Sequence, residues 1–171
     1  MSTEENKQLV RRFYQAIDAG NIDALDEFVA EDYLDHSPPP FPGFAPGRAG
    51  LKESFRLFWE ATPGTHTIED QIAEGDKVVS RLTARGVHEG DLPGIPRTGK
   101  TVETTAVVIH RIENGRLVEK WSERDLLRML QQLGVVPTPD GTAGDGDALP
   151  EPGRRRLGPG RGKGVRAESP C

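Results

Sequence analysis

The sequence predicts an α+β fold: a cone in which three N-terminal helices pack in a curved antiparallel sheet, followed by a short C-terminal helix. Apolar residues recur at helical spacing as far as Ala61 and alternate at strand spacing from His66 to Arg124. An Asn114-Gly115 pair, typical of a two-residue hairpin turn, joins the last two strands. Helices followed by a run of strands favour α+β over βαβ architecture. The mouth of such a cone favours a small-ligand pocket.

The three N-terminal helices are predicted from apolar spacing and capping residues. The first begins at Ser2 or Thr3, ends at Gly20, and has the apolar positions Leu9, Val10, Phe13, Tyr14 and Ile17. The second is capped by Asn21 and has the apolar stripe Ile22, Leu25, Phe28 and Val29. The third runs from Arg48 to Ala61 and has the stripe Leu51, Phe55, Phe58 and Trp59.

Four strands are predicted after the helices, at His66–Ala73, Lys77–His88, Thr101–Ile112 and Arg116–Arg124. A short extended piece, Asp32–His36, precedes the third helix, and the prolines of the loop after it exclude regular ladder pairing there. Residues Asp125–Leu133 are predicted as the last helix, because leucines recur at helical spacing and Gly134 is a typical C-cap.

Composition divides the chain into one domain, residues 1–137, and a tail, residues 138–171. The tail has 8 Gly, 5 Pro and no aromatic residue, so it is predicted to be disordered. The domain has 22 acidic and 16 basic residues, which argues against nucleic-acid binding. The longest apolar run, Ala106–Ile109, is far below the ~18 residues that a membrane helix needs.

The N-terminus has no signal-peptide pattern, so a cytoplasmic protein is expected. One Cys, at the end of the chain, excludes an intrachain disulfide and a cysteine-based zinc site. No pair of histidines has metal-ligand spacing, so no metal site is expected.

Strand alternation predicts which side chains face the interior of the cone. On the third predicted strand the charged residues occupy odd positions, so even-numbered His110 is predicted to face inward. On the fourth strand the odd positions are predicted to face inward, which includes Glu119 and Trp121, and Asp125 if the strand stays regular. The hairpin turn would place His110 opposite Glu119. The sequence therefore predicts these four side chains along one side of a pocket.

The outer face of the sheet is predicted to carry two apolar residues in mid-strand, Val107 and Ile109. Exposed apolar residues on a sheet face favour sheet-to-sheet association. We therefore expect a homodimer through this outer face.

Five segments, in order along the chain, resemble the SnoaL-like polyketide cyclase (ester cyclase) family. They are Tyr33–Pro38, Gly47–Gly50, Pro96–Lys100, His110–Asp125 and Gln132–Gly134. The resemblance covers about residues 4 to 137. It implies a cone of the nuclear-transport-factor-2 type and a cofactor-free enzyme that closes a ring of a polyketide-like substrate by intramolecular aldol condensation. It also implies that the aspartate matching Asp125 is the general acid/base.

The residues suit that chemistry. An apolar pocket would raise the pKa of the Asp125 carboxyl toward neutrality, and His110 or His36 would donate a hydrogen bond to the developing oxyanion. Residues expected to contact a hydrophobic small-molecule substrate are Trp121, Glu119, Phe55, Trp59 and Arg48. Each residue also has a structural interpretation: Asp is a favoured helix N-cap, and a histidine on an inward strand face is often a core residue.

Two alternative functions are left open by the sequence. One is a non-catalytic protein that binds a hydrophobic metabolite in the pocket. The other is an epoxide hydrolase or isomerase on the same fold, which would need an Asp-Arg-Asp set inside the pocket. No arginine is convincingly predicted to face inward, and pairing of Arg48 or Arg81 with Asp125 would favour this second alternative. We expect an enzyme of the cyclase type.

Overall fold

A computed structural model describes residues 1–41 and 43–139 of the chain. Its helices are α1 (Thr3–Asp18), α2 (Leu25–Phe28, preceded by a 3-10 turn at Ile22–Ala24), α3 (Gly47–Ala61) and α4 (Leu126–Leu133). Its strands are β1 (Val29–Asp35), β2 (Gly64–Glu74), β3 (Lys77–Val87), β4 (Thr101–Glu113) and β5 (Arg116–Arg124). The predicted α+β architecture is confirmed. Residues 140–171 of the predicted tail lie outside the described residues.

The five strands form one curved sheet in the order β1-β5-β4-β3-β2. Strands β2 to β5 are antiparallel neighbours, as predicted, but β1 pairs with β5 in parallel. The predicted antiparallel sheet is therefore formed by β2 to β5, and the short extended piece joins it as a parallel edge strand, a pairing that the sequence did not predict. A parallel neighbour needs a long crossover, and the chain between β1 and β5 supplies one that includes α3.

Helix α1 lies on the inner face of the sheet and supplies much of the core. Ser2 caps it through a reciprocal pair of bonds with Glu5, the capping-box arrangement. Its predicted apolar positions are all buried. They pack with side chains of the inner sheet face, among them Val78, Leu82, Val108, Ile112 and Leu117.

The second predicted helix is shorter than its apolar stripe suggested. Asn21 caps the 3-10 turn as predicted, through a bond from the Ala24 N–H, but helical structure ends at Phe28. Val29 is extended and aligns with Leu117 of β5, so β1 begins three residues before the predicted extended piece. Both side chains are fully buried. Pairing with β5 therefore outweighs the local helical pattern at Val29.

The turn predictions are confirmed by the backbone. Asn114 and Gly115 both have positive φ, 50° and 74°, as a type I′ hairpin turn requires. Gly134 has φ 82° and ends α4 in the left-handed conformation. No helix among the described residues is long and apolar enough to cross a membrane.

Candidate active site

An apolar cavity of about 360 Å³ lies between the inner face of the sheet, the helices and the loop that follows β1. Aromatic side chains make up much of its wall: Phe13, Tyr14, Phe41, Phe55, Phe58 and Trp59. The side chains of Leu126, Met129 and Leu130 close it on the α4 side. The predicted pocket in the cone is thus present, and it contains Phe55 and Trp59, two of the predicted substrate contacts.

A second, larger depression of about 440 Å³ lies over α1 and β2. It is lined mainly by polar and charged residues, including Arg11, Asp18 and Glu69, and it is open to solvent. The enclosed apolar cavity suits a hydrophobic ligand better, because it removes more apolar ligand surface from water.

His110 faces the cavity from β4, as strand alternation predicted. Its side chain is fully buried and makes edge-on contacts with the rings of Phe13 (5.7 Å) and Tyr14 (6.0 Å). Neither ring nitrogen has a hydrogen-bond partner among the residues that the structure describes. Burial, with a smaller effect from the Lys120 charge, lowers the pKa of His110 to about 3. The imidazole is therefore neutral near pH 7, with one nitrogen free to donate and the other free to accept.

The predicted inward face of β5 is wrong because the hairpin contains a β-bulge. Next to the turn, Ile112 aligns with Leu117, but Arg111 then aligns with Glu119, which leaves Val118 as an extra residue. A shift of one residue moves each later side chain to the opposite face of the sheet. His110 consequently lies across from Lys120, not Glu119.

Lys120 and Arg124 therefore face inward and line the cavity. The expectation that no arginine faces inward is wrong, because the bulge turns Arg124 to the inner face. The Lys120 ammonium is 2.7 Å from the Asp35 carboxylate on the neighbouring strand β1, where the two residues are aligned in register. Burial lowers the pKa of Lys120 to about 8; the nearby Arg124 charge also lowers it, and Asp35 opposes both effects. The sequence did not single out Lys120, Arg124 or Asp35 as cavity residues. No residue in Arg116–Arg124 marks the bulge that turns Lys120 and Arg124 inward, and Asp35 was not expected to pair with Lys120.

Three predicted site residues form a cluster on the outer face of the sheet instead. The His36 ring stacks on Trp121, with centroids 4.4 Å apart and planes 4° from parallel. His36 Nε2 also lies 3.0 Å from Glu119 Oε2, and Arg111 Nε donates to Glu119 Oε1 at 2.6 Å. These bonds from His36 and Arg111 hold the pKa of Glu119 below its usual value. His36, Glu119 and Trp121 do not line the cavity, which corrects their predicted position.

Asp125 is the N-cap of α4 rather than a buried carboxyl. Its Oδ1 accepts a bond from the Arg128 N–H at 3.0 Å, and the residue is exposed. The expected apolar environment for this carboxyl is therefore not found, because β5 ends here and the side chain turns to the helix start. Its chain neighbours, Arg124 and Leu126, both line the cavity, whereas Asp125 itself does not. We therefore place Asp125 at the cavity rim.

Arg48 is also displaced from its predicted role. Its guanidinium is 3.0 Å from an Asp26 carboxylate oxygen and donates to the Val29 carbonyl at 2.9 Å. These contacts tie α3 to the chain around α2, away from the cavity lining. Asp125 pairs with neither Arg48 nor Arg81 among the ion pairs of the described residues, so the arrangement that an epoxide hydrolase would need is not found.

His66 is a further cavity residue that the sequence did not single out. Its Nδ1 is 2.6 Å from Asp18 Oδ1, and its backbone N–H also donates to this carboxylate. The residue therefore joins β2 to α1 at the cavity wall. Within residues 1–41 and 43–139, no group of three or more His, Cys, Asp or Glu is arranged to hold a metal ion.

Comparison with known proteins gives consistent matches. A family model described as SnoaL-like polyketide cyclase matches residues 8–133. The aklanonic acid methyl ester cyclase DauD of Streptomyces sp. (strain C5) is 32% identical over 158 residues, 86% of this chain and 91% of that protein. The cyclase DnrD of Streptomyces peucetius, with the same described activity, is 32% identical over 151 residues, 82% and 98% of the two chains. The structure of TsrD from Streptomyces laurentii matches with a TM-score of 0.72 and 29% identity, over 80% of this chain and 99% of that one.

Proposed function

The chain belongs to the SnoaL-like polyketide cyclase family, and from that membership we propose that it closes a ring in a polyketide-like, carbonyl-rich ester by intramolecular aldol-type condensation. The observation that carries this proposal is the aromatic-walled cavity, in which neutral His110 and buried Lys120 are the polar groups opposite each other on the sheet. Such a site can hold a flat apolar molecule and bind its carbonyl oxygens.

The proposed step conserves all atoms of the substrate. A proton leaves a carbon that flanking carbonyls acidify, the resulting carbanion forms one carbon–carbon bond to a second carbonyl carbon, and that carbonyl oxygen takes a proton. The chain's part is to fold the substrate so that the two carbons meet and to move the proton. The side chains of the chain suffice for this chemistry, so we propose a cofactor-independent reaction.

We propose Asp125 as the general acid/base, as the family resemblance implies. Its place at the rim supports this role, since the residues on both sides of it line the cavity. Its carboxylate caps α4. An N-cap bond contributes about 1 kcal/mol, which is small beside the contribution expected of a proton-transfer group. The carboxylate can therefore turn from the helix to a substrate at modest cost.

We propose that His110 binds the far end of the same substrate. The Asp125 N–H bonds to the Thr105 carbonyl, which is five residues from His110 along β4. At 3.3 Å per residue this separation is about 16 Å, too far for both groups to act on one pair of reacting carbons. A ligand of several fused rings spans much of that length. His110 then donates to a carbonyl oxygen of the distant ring while ring closure takes place at the rim.

The test is turnover of aklanonic acid methyl ester, the substrate class named for the two relatives. We expect purified protein to convert it to a product of equal mass and different chromatographic retention, without added cofactor. Saturable binding of the ester with no conversion would overturn the proposal and leave the alternative of a non-catalytic ligand-binding protein.

We also propose a homodimer through the outer face of the sheet. Val107 is 45% exposed there. Ile109 follows it on the same face of β4 and is aligned with Trp121 of β5. An apolar strip of this kind supports sheet-to-sheet contact. Light scattering coupled to size exclusion should give twice the 18.7 kDa chain mass, and a monomer at micromolar concentration would contradict the proposal.

A further inference from the structure

The charges that line the cavity are all of one sign. Lys120, Arg124 and, at the exposed mouth, Arg85 are among the lining residues, while no Asp or Glu of the described part of the chain is. Asp35 lies behind Lys120 and compensates one of these charges. The cavity therefore presents an excess of positive charge to whatever enters it.

Arg124 carries the uncompensated charge inside. No acidic group or carbonyl oxygen in residues 1–41 and 43–139 pairs with its guanidinium, although the residue is half-buried. Other arginines of the sheet and helices do have partners: Arg111 binds Glu119, and Arg48 binds Asp26. A half-buried guanidinium lowers its free energy by binding an anionic oxygen, for which its geometry is well suited.

Arg124 acts on the same region as Lys120 and His110. Burial is the main cause of the lowered pKa of Lys120, and the charge of Arg124 lowers it further. The same charge opposes the rise in pKa that burial gives to Tyr14 and Tyr33. Its influence therefore reaches Lys120, which lies opposite His110, and Tyr14, whose ring contacts His110. Both nitrogens of His110 are unpartnered among the described residues. We call Lys120, Arg124 and His110 the cationic wall.

We propose that the cavity takes a flat aromatic ligand that carries an anionic oxygen group, a carboxylate or an ionised enol, and that this group binds at the cationic wall. Arg124 binds the anionic group, and Lys120 adds positive charge to the same wall. His110, four residues along β4 from the partner of Arg124, donates its N–H to a carbonyl oxygen of the distant ring. The aromatic side chains opposite hold the apolar rings. This inference rests on the proposed function for its site and adds one feature to the proposed ester substrate: an ionised oxygen group elsewhere on its rings, a carboxylate or an acidic enol.

The opposing interpretation is that Arg124 merely covers apolar surface with its methylene stem while its charge stays solvated. That interpretation predicts no preference for a charged ligand. The two are separated by equilibrium binding of the anthraquinone carboxylic acid rhein and of its methyl ester, which share their ring system and differ by one charge at neutral pH. Isothermal titration calorimetry measures both without requiring turnover.

We expect wild-type protein to bind the acid at least about tenfold more tightly than the ester, the scale of one charge-assisted hydrogen bond. In Arg124→Gln the preference should disappear through loss of acid affinity, while ester affinity changes little. Arg85→Gln, which removes an exposed charge at the mouth, is the matched control and should keep the preference. Equal affinities in wild type, or an unchanged preference in Arg124→Gln, would overturn the proposal.

A second variant covers the case in which Arg124→Gln fails to fold. Arg124→Lys keeps the charge and should keep most of the preference for the acid. The wild-type comparison needs no variant: if the ester binds as well as the acid, the proposal is wrong.

Turnover of an ester substrate is measured in a separate experiment. Preference for the acid with no conversion of any ester substrate would overturn the proposed cyclase activity alone, and conversion without acid preference would overturn only this inference.

Discussion

His110 lies directly opposite Lys120 in the β4–β5 ladder, and both side chains face the cavity. A neutral imidazole and a buried ammonium thus share one end of an otherwise apolar space. The charge of Lys120 lowers the pKa of His110, although burial is the larger cause. Burial also lowers the pKa of Lys120, and there the second cause is the charge of Arg124. His110 therefore keeps the same charge across the neutral pH range and acts there as a fixed hydrogen-bond donor and acceptor.

Asp125→Asn should separate catalysis from helix capping. Asn is as good an N-cap as Asp, so the free energy of unfolding should change by less than about 0.5 kcal/mol. If the carboxylate transfers the proton, kcat should fall at least about a hundredfold. Steady-state turnover of the ester substrate and urea unfolding measure the two effects. Glu123→Gln, an exposed neighbour, is the matched control, and full activity of Asp125→Asn would show that the carboxylate is not the acid/base.

His110→Gln should change substrate binding more than the chemical step. Its loss removes a hydrogen bond to the distant ring, so KM should rise by about tenfold while kcat changes by less than about threefold. The control is His36→Gln, which alters a histidine on the outer face and should leave both constants near wild type. A large fall in kcat with unchanged KM would place the reacting carbons at His110 and contradict the arrangement proposed above.

The local sequence was sufficient to predict most elements but not the composition of the cavity wall. The Asn114-Gly115 turn, the Ser2 cap and the inward face of β4 all follow from short-range patterns, and the structure contains each of them. The bulge at Val118 does not follow from any such pattern, because an extra residue in one strand of a ladder depends on the pairing of the two strands and no residue near it marks the position. Because of this one extra residue, the cavity is lined by Lys120 and Arg124, where Glu119 and Trp121 were predicted. The extra residue also changed the expected wall from acidic to cationic.

The stability of the protein should depend on His110 below neutral pH. Its folded-state pKa of about 3 is lower than the ordinary 6.5, so the unfolded chain binds more protons in that interval and stability falls as pH falls. The facing titratable groups, Lys120 and Tyr14, keep their protons throughout this window. From about pH 7 to about pH 5 the wild type should lose about 2 kcal/mol more than His110→Gln. Urea unfolding at both pH values tests this, and parallel losses in the two proteins would contradict the neutral, buried state.

Lys120 and Asp35 should behave as a coupled pair. Lys120→Met leaves the Asp35 carboxylate largely buried without its partner, and should destabilise the protein by about 3 kcal/mol. Adding Asp35→Asn removes the unpaired charge and should restore most of that loss. A double-mutant cycle from urea unfolding measures the coupling free energy. Additive effects of the two substitutions would mean that the 2.7 Å contact contributes nothing to stability.

The two tryptophans should report differently on an occupied cavity, because Trp59 lines it and Trp121 lies on the outer face against His36. Two single-tryptophan variants isolate each signal: Trp121→Phe retains Trp59, and Trp59→Phe retains Trp121. With the uncharged probe anthraquinone bound, acrylamide should quench Trp59 several times less effectively, since a ligand against its ring excludes the quencher. Quenching of Trp121 should not change. Protection of Trp121 instead would contradict this prediction. It would mean that the ligand binds on the outer face, or that Trp121 faces the cavity despite the bulge at Val118.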